Sequence, residues 1–119
     1  MKVKDLLVQQ IVEGLQEKKA KKIVVADMTN IEEAAFQYFV ICEGNSTTQV
    51  NSIAEGMMDY VRKEANHKPF AYDGFQNRQW IAVDYGYVLV HVFLPEYREF
   101  YKLEQLWADA QLTEIPDLD

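Results

Sequence analysis

Two apolar runs, Gln79–Asp84 and Val88–Leu94, flank the pair Tyr85-Gly86, and this short stretch constrains the fold more than any other. Glycine takes the positive φ that tight hairpin turns require, so the two runs read as antiparallel strands. With Tyr85 and Gly86 as the central turn residues, Asp84 faces Tyr87, Val83 faces Val88, Ala82 faces Leu89, Ile81 faces Val90 and Trp80 faces His91. Opposite residues share a side of the sheet. Ile81, Val83, Val88, Val90 and Val92 then make one aliphatic side, which belongs on the core. The other side carries Trp80, Ala82, Asp84, Tyr87, Leu89, His91 and Phe93. Tryptophan and tyrosine often carry interface energy, and that mixture suits a partly solvated surface. A helix layer over this side would make Trp80 ordinary packing, and a one-residue bulge would exchange the two sides. Pattern alone leaves these alternatives open.

The rest of the chain supplies the elements such a hairpin needs. Leu7, Val8, Ile11, Val12 and Leu15 recur at three and four residues, predicting a helix over residues 4–18. Ile23–Ala26 reads as a strand ending at Asp27, Met28–Ala35 as a connection, and Gln37–Glu43 as a central strand broken by Gly44-Asn45. Ser46 followed by Gln49 is a capping-box pattern. It opens a helix whose apolar face holds Val50, Ile53, Ala54, Met57, Met58 and Val61. Lys68–Tyr72 is a third strand ended by Asp73-Gly74, and one or two short helices after Pro95 carry Phe100, Tyr101, Leu103, Leu106 and Trp107. The order α-β-β-α-β-β-β-α gives an α/β (α+β) class, one mixed sheet of about five strands with helices packed on it. The passage through Gly44 and Ser46 suits a crossover connection. One domain over residues 1–110 is expected, followed by an acidic, flexible tail over 111–119 containing Pro116.

Charge narrows the function. A net charge of -7, with the lysine cluster Lys18–Lys22 placed at the C-terminal end of the first predicted helix, argues against direct nucleic-acid binding, which draws its affinity from cations on phosphates. A basic protein is the better-matched partner. No stretch approaches the roughly 20 apolar residues of a membrane span, and the N-terminus lacks the form of a secretory signal, so no membrane role and a cytoplasmic location are expected. Cys42 lies in an apolar run and reads as an inert thiol, and the two histidines show no metal-ligand spacing. Gly44-Asn45-Ser46 before a helix resembles the loop that opens the nucleotidyltransferase fold, yet Thr47–Asn51 contains no carboxylate to hold the metal ions of that chemistry. Asp27, Asp84 and His91 have no nucleophile placed beside them. No cofactor, metal or catalytic residue is assigned.

The run Trp80–Phe93 closely resembles the signature hairpin of the Iojap-like ribosome-silencing factors. Arg98, Phe100, Tyr101, Leu103, Glu104, Leu106 and Trp107 are similar to that family's closing segment. Tyr38-Phe39-Val40-Ile41 with Gly44, Ser46 and Gln49 fits its second strand and helix opening. The resemblance spans roughly residues 5–110. It departs from the family pattern at Tyr87, where an acidic residue is usual, at Gln37, where aspartate is usual, and at Asp73, which stands for glutamate. The resemblance implies a nucleotidyltransferase-like topology without catalytic carboxylates. It also implies binding to ribosomal protein fourteen of the large ribosomal subunit, blocking subunit joining and lowering translation when nutrients are scarce. Under it, Trp80 is expected as an apolar anchor, Asp84 and Tyr85 as polar contacts at the hairpin tip, Leu89 and His91 as flanks of Trp80, and Asp73 as a partner for a basic side chain. The simple register points Tyr85 away from Trp80, so its role requires the turn to reorient it. An exposed aromatic face also predicts a homodimer in isolation. The competing expectation is a nucleotide-using transferase.

Overall fold

Both long helices start where the sequence supplies a cap. In the computed structural model, which describes residues 3–102 and 109–118, Asp5 accepts the Val8 amide at 3.0 Å and opens α1, Leu6–Glu17. Ser46 accepts the Gln49 amide at 3.1 Å and opens α2, Thr47–Ala65, while the Gln49 side chain reaches back to the Asn45 amide. The reciprocal pattern read in the sequence is therefore formed, one residue beyond its usual return point. Asn66, at φ 54°, closes α2 in the left-handed conformation.

The strands are β1 (Lys21–Asp27), β2 (Tyr38–Glu43), β3 (Ala71–Asp73), β4 (Trp80–Asp84), β5 (Val88–Phe93) and β6 (Gln111–Ile115), with the short helix α3 (Pro95–Tyr101) after β5. They form one six-stranded sheet in the order β3-β4-β5-β2-β1-β6. The central pair β2 and β5 is parallel; every other neighbouring pair is antiparallel. Helices α1 and α2 lie together on one side, and Val8, Ile11, Leu15, Ile53, Met57 and Val61 meet Val25, Val40, Val83, Val90 and Val92 in the main core. Gly14 lets the helices approach closely, because a Cβ there would sit 3.2 Å from the Met57 Cα.

Three sequence expectations need correction. The sheet has six strands rather than about five, because residues 111–115 of the expected flexible tail pair with β1 from Ile23↔Ile115 to Asp27↔Gln111. Asp117 then accepts the Lys22 amide at 2.8 Å. Ile115 packs on the core, but one inward apolar residue in an acidic segment is too faint an alternation to read as a strand. The third strand occupies Ala71–Asp73, not Lys68–Tyr72. The hairpin pairs Asp84↔Leu89, Val83↔Val90 and Trp80↔Phe93, two residues away from the expected register. A wider turn explains the slip: the Tyr85 amide donates to the Val88 carbonyl at 2.9 Å, and Gly86 at φ 97° donates its amide to Asp84 Oδ1 at 2.7 Å. Side chains alternate with period two, so a two-residue slip leaves every paired residue on its expected side. Of the expected closing helices, α3 is present; Leu103, Leu106 and Trp107 lie outside the described residues.

Candidate functional site

The side of the sheet away from α1 and α2 is built by alternation across neighbouring strands. It receives Trp80, Ala82 and Asp84 from β4, Leu89, His91 and Phe93 from β5, Phe39 and Ile41 from β2, and Asp73 from β3. Trp80 stacks on Phe93, with ring centroids 5.0 Å apart and planes 24° from parallel. Its indole N–H donates to His91 Nδ1 at 3.0 Å. Phe39 meets the His91 ring edge-on at 4.8 Å. His91 is only 3% exposed, and burial pushes its pKa down to about 3, so the imidazole is neutral.

Among the described residues, α3 is the one helix on this side. Tyr97 packs on the Ile41–Phe93 cluster, and Arg98 forms a largely buried ion pair with Glu43 at 3.2 Å while donating to the Lys22 carbonyl at 2.6 Å. These contacts fix α3 over the end of the face where β2 and β5 finish. Trp80, Ala82, Asp84, Leu89 and Phe39 remain half-buried, and Asp73 is exposed.

The structure thus gathers Trp80, Asp84, Leu89, His91 and Asp73 on one side of the sheet. It separates Tyr85 from them. Tyr85, expected as a polar contact at the tip, is 3% exposed beneath α2, where its hydroxyl donates to Met57 Sδ at 3.6 Å and burial raises its pKa. Tyr85 continues the alternation of Ile81 and Val83, so it stays on the helix side, and the turn does not reorient it. Tyr87, expected on the aromatic face, also lies on the helix side: it packs against the main core and donates its hydroxyl to both Asp5 carboxylate oxygens at 3.0 Å. His91 belongs to the face but sits beneath it, reaching the surface through Trp80. Sequence reasoning left Phe39 and Ile41 out of the site. Their signal was the alternation with Val40 and Cys42, usable only once β2 is known to lie beside β5.

The Gly44–Ser46 loop shows no catalytic arrangement. The Gly44 amide donates to the Phe93 carbonyl at 3.0 Å, and the amides of Asn45 and Gln49 serve the helix cap. Among the described residues no group of three His, Cys, Asp or Glu side chains is placed to hold a metal ion. A cavity of about 770 Å³ lies along the outer surface of α2, and its carboxylates are engaged: Asn51 donates to Glu55 at 2.7 Å, and Arg62 holds Asp59 at 2.6 Å.

Comparison with known proteins gives a consistent picture. The family described as "Ribosomal silencing factor during starvation" matches residues 2–119. A ribosomal silencing factor of Halalkalibacterium halodurans is 37% identical over 109 residues, covering 92% of each chain. The mouse protein named "Mitochondrial assembly of ribosomal large subunit protein 1" is 31% identical over 91% of this chain and 50% of its own length. A crystal structure from Chromobacterium violaceum superposes with a TM-score of 0.79 at 31% identity, covering 86% of this chain and 83% of that one.

Proposed function

The chain belongs to the family of ribosomal silencing factors, regulators of translation rather than enzymes, and from that premise we propose that its half-open sheet face docks on the large ribosomal subunit. The partner surface is large-subunit ribosomal protein fourteen, and the bound factor stands where the small subunit would join, so subunit joining is blocked sterically. Translation falls under nutrient limitation as a result. The carrying observation is the strip of half-buried residues from Trp80 through Ala82 to Asp84, with Leu89 beside it and Asp73 exposed at its margin. An aromatic anchor surrounded by smaller apolar residues and carboxylates is the composition of an interface centre with a polar rim. The acidic net charge of -7 favours encounter with a basic protein, and the mouse relative's name associates that protein with the large subunit.

This docking takes place in the cytoplasm; no helix of the described residues is long and apolar enough to cross a membrane. In the absence of ribosomes the same strip pairs two copies of the chain as a homodimer, which sedimentation velocity checks directly. The docking reading is tested with Ala82→Arg. Ala82 is half-exposed at the centre of the strip, so the new side chain adds bulk and positive charge there without removing a packed group. Co-sedimentation with purified large subunits should weaken by at least about thirtyfold, the size of a 2 kcal/mol interface effect, with the melting temperature little changed. Undiminished co-sedimentation of the folded variant would remove this face from consideration.

A further inference from the structure

The geometry points to His91 as a positioning residue for docking: its Nδ1 fixes the orientation of the Trp80 indole, and this inference rests on the docking reading above. The Trp80 N–H donates to Nδ1 at 3.0 Å, which requires the Nδ1 lone pair and places the imidazole proton on Nε2. Nε2 is buried with no hydrogen-bond partner among the described residues. A buried donor left unpaired costs stability. A phenylalanine at this position would fill similar space between Phe39 and Phe93 and carry no such cost. What the histidine adds that an apolar ring lacks is the acceptor offered to Trp80.

Stacking on Phe93 sets the tilt of the indole plane. The hydrogen bond to Nδ1 adds direction within that plane, because it holds the N–H edge of the indole toward β5. An anchor held in its bound orientation before contact loses less conformational freedom on binding. The imidazole sits beneath the face at 3% exposure, so it acts through Trp80 and does not itself meet the partner.

Two substitutions separate this role from simple packing. His91→Phe keeps an aromatic ring and removes the acceptor. His91→Asn packs less well but places an amide oxygen near the former Nδ1. If packing alone matters, stability and large-subunit binding both follow the order Phe above Asn. If positioning matters, His91→Phe binds large subunits about tenfold more weakly than the parent, and His91→Asn recovers part of that loss despite lower stability. The Trp80 indole cross-peak in a ¹⁵N-labelled sample, identified by its loss in Trp80→Phe, should move upfield in His91→Phe and stay closer to the parent position in His91→Asn. Parent-like binding by His91→Phe, or binding that simply tracks stability, overturns the inference. Ala82→Arg runs alongside: if it binds normally, the docking face is wrong and the role of His91 falls with it. If it fails to bind while His91→Phe binds normally, only the role of His91 is refuted.

Discussion

His91 has a measurable consequence whatever occupies the face. Its imidazole titrates near 6.5 in the unfolded chain, and burial lowers that to about 3 in the fold. Between those values the unfolded state binds a proton that the folded state refuses, so stability is full above about pH 6.5 and falls as pH drops toward 3. At pH 5 this group alone should cost about 2 kcal/mol relative to pH 7.5. Urea midpoints at the two pH values check it, and His91→Phe should flatten the difference. Tyr87, where the resembling family usually has an acidic residue, was expected on the aromatic side. Its hydroxyl instead donates to Asp5, the cap of α1, at 3.0 Å, and burial together with that hydrogen bond pushes its pKa up to about 12. Trp80, Leu89 and Asp84 were legible as neighbours on one side because alternation assigns sides, whereas Asp73 joins them only through the pairing of β3 with β4. Tyr85 continues the alternation of Ile81 and Val83 away from Trp80, and its burial against Met57 keeps it there.

The elements differ in how much local signal they carry. Helix α2 announces itself through Ser46, Gln49 and its apolar stripe, and Ser46→Ala should lower stability by about 1 kcal/mol through loss of the bond to the Gln49 amide. Thermal or urea unfolding reads that loss directly. Strand β6 is the opposite case. Its five register pairs with β1 exist because β1 would otherwise present a bare edge, and a weakly amphipathic segment suffices to cover it. Truncation after Ala110 should therefore cost about 2–3 kcal/mol, at roughly 0.5 kcal/mol per cross-strand pair, and should promote aggregation through the uncovered edge. A truncated chain that melts like the parent and stays monodisperse would show β6 to be dispensable. The hairpin lies between these cases: Gly86 signalled a turn, but its length depended on Asp84 holding the Gly86 amide.

At the scale of the molecule, among the described residues, the two long helices share one side of the sheet and α3 covers part of the other. Trp80 and Leu89 on that second side stay half-buried. The acidic charge of -7 acts at longer range. Association with an isolated basic ribosomal protein should slow by about tenfold between roughly 0.05 and 0.3 M salt, as screening shortens the reach of that field. Dissociation should change far less, since the strip's centre is apolar. Stopped-flow measurements across that range separate the two rates. A rate indifferent to salt would assign the charge to solubility alone.

The order of elements as far as α3, the two long helices and the division of the hairpin strands into an aliphatic and an aromatic side all followed from residue patterns. Each depends on a local period of 3.6 or 2 and on caps within a few residues of each other. The six-strand count, the parallel pairing of β2 with β5 and the burial of His91 under Trp80 did not. They are set by which strands become neighbours and which face a helix happens to cover. Those contacts join residues far apart in the chain, and no local period encodes them.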